Sequence, residues 1–81
     1  MSNQIEEKLR DILTKVLLID GVCINDNLSR KDVEGWDSMG NLILVSEIES
    51  AFGIVMSDDD ITGINTVGDL KKIMRKLGLN F

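Results

Sequence analysis

Large apolar residues recur at helical spacing in three stretches of this chain, and no stretch of useful length alternates apolar with polar. That regularity points to an all-α fold, because a half-buried strand needs alternation and an amphipathic helix a period of about 3.6. From about Asn3 to Leu18, the residues Ile5, Leu9, Ile12, Leu13, Val16 and Leu17 fall on one face. They fill an arc of about 140° at about 100° per residue. Glu6, Glu7, Lys8, Arg10, Asp11 and Lys15 take the rest, and Asp20-Gly21 is the predicted stop. The second stretch runs from Ser38 to Phe52, with Gly53 as its stop. Its stripe is Leu44, Val45, Ile48, Ala51 and Phe52, with Leu44, Ile48 and Phe52 at the centre. A short helical piece is expected after Ser57-Asp58-Asp59-Asp60. The last helix starts at Thr66, where Thr66-Val67-Gly68-Asp69 resembles a capping box with Asp in place of Glu. Val67, Leu70, Ile73, Met74 and Leu77 form its stripe, and Gly78 ends it.

At 81 residues the chain suits one domain spanning residues 1–81, since two would each lack the size for a core. The expected architecture is a small four-helix bundle: three main helices, one short helix and a long first loop. Residues 19–36 have no clear period, and Asn25-Asp26-Asn27-Leu28-Ser29 reads as a turn. Val22, Ile24, Leu28 and Val33 are the residues expected to pin that loop to the core.

Charge and composition narrow the function. Nine basic against fourteen acidic residues leave a net charge of −5, the wrong sign for a nucleic-acid partner. The chain has no His, which removes the usual general base and the commonest metal ligand. One Cys allows no internal disulfide. No apolar run approaches the roughly 20 residues of a membrane helix. The first residues do not read as a secretory signal, so a cytoplasmic location without membrane attachment is expected.

Ser38 stands out by context. Asp37 is a good N-cap, which places Ser38 at the first helical position. Free backbone N–H groups and the helix dipole there favour an anion, such as a phosphate ester on the hydroxyl. The simpler alternative is that Asp37 and Ser38 only cap the helix. Met39, Leu42 and Ile43 point away from the stripe of Leu44, Ile48 and Phe52, which suggests a docking surface. Alternatively, the long loop covers Met39 and Leu42.

Gly35-Trp36-Asp37-Ser38-Met39 resembles the Asp-Ser-Leu/Met signature of acyl and peptidyl carrier proteins. Leu44, Ile48-Glu49 and Ala51-Phe52-Gly53-Ile54 are similar to that family's second helix and its exit. Ile64-Asn65-Thr66-Val67-Gly68-Asp69-Leu70 is similar to the start of its last helix. The likeness covers nearly the whole chain in order and spacing. It implies that Ser38 accepts 4′-phosphopantetheine from coenzyme A, placed there by a separate phosphopantetheinyl transferase that supplies Mg²⁺ and a base. The arm's thiol would then carry an acyl or aminoacyl group as a thioester to loading and acyl-transfer enzymes. On this reading the protein is no enzyme, has no catalytic or metal residues, and acts as a monomer. Asp37 corresponds to the acidic residue that meets a basic side chain of the transferase. Members serving fatty-acid synthesis carry acidic residues where this chain has Gly40 and Ile43. Glu47 and Glu49 remain on the second helix. The resemblance therefore implies a dedicated pathway, with partners reading Asp37, Met39, Leu42, Ile43, Glu47 and Glu49.

Rival readings stay open at this point. One is a non-catalytic helical interaction module with Ser38 as a cap. Another is a Ca²⁺ loop, since Asp58, Asp60, Thr62, Gly63 and Asp69 match EF-hand positions, but with Asp where the strong bidentate Glu belongs and Asn65 at the apolar position. Cys23 reads as a small buried apolar residue. Trp36 either packs over the helix start or meets a partner.

Overall fold

The computed structural model describes residues 4–21 and 24–80. It contains four helices in the order α1 (Gln4–Leu17), α2 (Ser38–Phe52), α3 (Asp58–Thr62) and α4 (Val67–Lys76). No strand forms among the described residues; a single antiparallel bridge joins Ser29 to Thr66. The all-α reading and the four-helix order therefore hold.

The core is built from the predicted stripes. Leu9, Leu13 and Leu17 of α1 meet Leu44, Val45 and Ile48 of α2 and Val67, Leu70 and Met74 of α4. Met56 and Ile64, from the connections flanking α3, and Val33 and Trp36, from the first connection, complete it. Helix α3 itself buries no residue. Burying an aliphatic side chain of this size contributes about 1.5–3 kcal/mol, so these contacts supply the main favourable term for so short a chain.

Three details differ from the sequence reading. The stop of α1 comes at Leu17, not at Asp20-Gly21, and Leu18 turns into the left-handed region at φ 55°. Helix α3 includes the acidic run instead of following it, because Ser57 caps it and forms a reciprocal box with Asp60. Phe52 is half-buried and does not sit at the centre of the α2 stripe; Lys8 Nζ lies 5.8 Å from its ring centroid. The buried face of α2 is instead Asn41, Leu44, Val45 and Ile48. Gly53 ends α2 as expected, at φ 67°, with its N–H donating to the Glu49 carbonyl.

The long connection between α1 and α2 is held by turns of its own and by the start of α4. Asn25 accepts the Asn27 N–H in an Asx turn, and Asp32 accepts the N–H and hydroxyl of Ser29. Across the molecule, Arg30 N–H donates to the Asn65 carbonyl, Val67 N–H to Leu28 and Gly68 N–H to Asp26. Val33 is buried, while Ile24 and Leu28 pack half-buried against the core. Val22 and Cys23 lie outside the described residues, as does Asn3.

Candidate functional site

Asp37 caps α2 as its spacing predicts: the backbone is extended there (φ −96°, ψ −169°) and its Oδ1 accepts the Gly40 N–H at 2.7 Å. This cap fixes Ser38 as the first helical residue, and its side chain is exposed. The approach to the cap is held from below by Trp36, only 1% exposed, whose Nε1 donates to Asn41 Oδ1 at 3.0 Å. Asn41 Nδ2 in turn donates to the Ile61 carbonyl at 3.1 Å. One buried amide thus ties the end of the connection, α2 and α3 together. Of the two roles open to Trp36, packing over the helix start is the one it fills.

Asn41 escaped the sequence reading. An Asn among apolar neighbours was the available signal, since a buried amide must find partners for both its ends. The sequence marked Gly40 only as a missing acidic residue and gave no sign of its packing role. A Cβ on Gly40 would lie 2.2 Å from the Gly35 carbonyl oxygen, closer than any atom tolerates. The connection therefore crosses the first turn of α2 at a point open only to glycine.

A shallow groove of about 230 Å³ opens beside Ser38, lined by Arg30, Ser38, Asn41, Leu42, Ile61 and Thr62. On the same helix Met39 is 71% exposed, Leu42 57% and Ile43 50%. The long loop leaves Met39 and Leu42 uncovered. Glu47 is half-exposed on the same helix. Glu49 has a structural task, accepting the Met56 N–H at 2.7 Å and so turning the chain after α2.

The residues spaced like a Ca²⁺ loop do not form one. Asp58, Asp60 and Thr62 lie in helix α3, where their backbone is committed to helical turns. Asp60 pairs with Lys76, whose hydrogen bond is the main cause of its lowered pKa. Asp69 closes the Thr66 capping box and also accepts the Asn65 N–H. Among the described residues no cluster of acidic or thiol side chains is arranged to hold a metal. No described helix is long and apolar enough to cross a membrane.

Residues 7–74 match the model of a protein family described as PP-binding, phosphopantetheine attachment site. The match takes in α2 with its cap, α3 and most of α1 and α4. Such domains receive 4′-phosphopantetheine covalently and carry cargo without catalysing its chemistry. With four helices in the expected order around a capped, exposed serine, this chain belongs to the phosphopantetheine-binding carrier family.

Proposed function

We propose that Ser38 is the residue that carries the phosphopantetheine arm, and that the protein delivers an acyl or aminoacyl thioester in a dedicated pathway. The observation that supports Ser38 is its exposed position at the first turn of a capped helix within the matched span. The chain has no His to serve as a general base for the hydroxyl, which favours activation by a separate transferase with Mg²⁺. In that step Ser38 Oγ attacks the phosphorus bearing the pantetheine group of coenzyme A. The Oγ–P bond forms, adenosine 3′,5′-bisphosphate leaves, and the serine proton passes to the transferase.

Asp37 is the residue proposed to meet the transferase. Met39, Leu42 and Ile43 are proposed as the face read by loading and acyl-transfer enzymes, with Glu47 and Glu49 at its margin. Their exposure favours this reading, since apolar side chains of this size clustered at a surface mark interaction sites. Gly40 and Ile43 make the face less acidic than that of carriers in ordinary fatty-acid synthesis, which favours a dedicated pathway.

Incubation with a broad-specificity phosphopantetheinyl transferase and coenzyme A tests the assignment. Intact mass should rise by one phosphopantetheine in the wild type and not in Ser38→Ala, whose helical circular dichroism should be unchanged. A mass gain that survives Ser38→Ala sinks the assignment.

A further inference from the structure

The charge around Ser38 poses a problem that Arg30 can answer. A phosphodiester at Ser38 would stand next to the Asp37 carboxylate in a chain of net charge −5. Like charges this close repel each other. The groove beside Ser38 has one cationic side chain in its lining, Arg30. Its position is set from two sides. The Arg30 backbone N–H donates to the Asn65 carbonyl at 2.9 Å, and Nε donates to the Trp36 carbonyl at 3.4 Å. The Nε contact holds the half-buried side chain against the residue that precedes the cap. Among the described residues Arg30 forms no ion pair. The planar guanidinium keeps further N–H donors beyond Nε, in the fork geometry that suits phosphate oxygens.

We propose that Arg30 binds the phosphodiester of an arm attached to Ser38 and holds the root of that arm against the groove between the first connection, α2 and α3. The inference rests on Ser38 being the attachment residue. Arg30 is then a positioning residue: it sets the direction in which the arm leaves the helix. Its contact to the Trp36 carbonyl makes that direction a property of the packed connection, not of a mobile surface side chain.

The test compares wild type, Arg30→Gln and Arg30→Lys, each converted to the holo form with transferase and coenzyme A. Intact mass comes first, and absence of the arm from the wild type would remove both this inference and the Ser38 assignment. With the arm present, the phosphorus resonance of folded wild type should lie away from that of the same protein unfolded in urea. Added NaCl should shrink the displacement, because exposed charge is screened within about 10 Å at 0.1 M. Arg30→Gln should abolish most of it, and Arg30→Lys should keep part. The wild-type holo form should melt about 2–4 °C above the apo form at low salt, a gap that Arg30→Gln closes. The melting point of apo Arg30→Gln reads the structural loss of the Trp36 contact separately. If that variant fails to fold, the wild-type salt titration and Arg30→Lys decide. A resonance indifferent to salt, or the same in wild type and Arg30→Gln, overturns the role of Arg30 and leaves Ser38 standing.

Discussion

Helices α2 and α4 begin alike and are used differently. Each starts at an extended cap residue, Asp37 or Thr66, that accepts an N–H three residues on. Each also has a glycine in its first turn against a carbonyl of the long connection, Gly40 at Gly35 and Gly68 at Asp26. At α4 the first three N–H groups are all taken, Val67 by Leu28, Gly68 by Asp26 and Asp69 by the Thr66 hydroxyl. That start is closed and serves as an anchor for the connection. At α2 the cap takes Gly40 N–H, and Ser38 stays exposed. The outer faces differ too. Lys72, Arg75 and Lys76 face solvent on α4, whereas α2 exposes Met39, Leu42 and Ile43. One helix start completes the fold, and the other keeps an exposed serine.

The largest expected effect separates the two faces of α2. Leu44 is fully buried, so Leu44→Ala should cost about 2–5 kcal/mol in urea unfolding. Ile43→Ala should cost well under about 1 kcal/mol and should instead weaken binding to a cognate acyl-transfer enzyme. Equal destabilisation by the two would show that the outer face of α2 is structural, like the inner one.

The glycine pair comes next. Gly40→Ala forces its new methyl group or the Gly35 carbonyl to move, at a cost of about 1–3 kcal/mol. That exceeds the roughly 0.5–1 kcal/mol an alanine gains in a helix. At Gly68 the corresponding approach to Asp26 is 3.1 Å, so a shift of a few tenths of an ångström suffices. Gly68→Ala should therefore stay within about 1 kcal/mol of wild type. A well-tolerated Gly40→Ala would mean that the connection does not press on the α2 start in solution.

The caps should separate stability from function. Thr66→Ala and Asp37→Ala should each cost about 1 kcal/mol by thermal or urea unfolding. Asp37→Asn keeps a good cap but drops the charge, so it should hold stability within a few tenths of a kcal/mol. It should still slow modification by the transferase at low salt, with the gap to wild type narrowing as salt rises. Equal modification rates for Asp37→Asn and wild type at low salt would take the charge out of transferase docking.

The smallest effect concerns the ion pairs at the closed start. Lys71 Nζ lies 3.0 Å from Glu6 and 2.8 Å from Asp26, joining α4 to α1 and to the connection. Hydrogen bonding to Lys71, then its charge, holds both carboxyls below their usual range. Burial opposes the Lys71 charge, but the two carboxylates outweigh it and raise its pKa. The carboxylate contribution is fully present above their unfolded values, near about 4, and is lost as pH falls through the lowered folded ones. The Lys71 contribution is present below its unfolded value, near about 10.4, and is lost as pH rises through the raised one. Urea midpoints should place Lys71→Met below wild type near neutral pH, with the gap closing under about pH 4. A gap that persists in acid would assign the effect to packing of the Lys71 stem.

Much of this protein is legible along the chain because its decisive contacts are local. The caps at Asp37 and Thr66 join residues three apart, so their spacing announces them without any partner from elsewhere. The stripes of α1 and α4 likewise follow from period alone, and with Asp37 read as a cap, Ser38 falls at the first position of its helix. Tertiary structure decided what distance in sequence hides. Phe52 leaves the centre of the α2 face because that helix turns Asn41 and Val45 inward, where Asn41 bridges Trp36 to Ile61 twenty residues on. The spacing of Asp58, Asp60 and Asp69 suggests a metal loop only until Ser57 and Thr66 each recruit a carboxylate for a helix start. Gly40 and Arg30 acquire their meaning from the packed connection, which lays the Gly35 carbonyl on one and the Trp36 carbonyl beside the other. The physical reason is one of range: periodicity and capping are satisfied within a few residues, whereas a buried amide, a close backbone approach or an anchored guanidinium needs a partner that only the folded chain brings near.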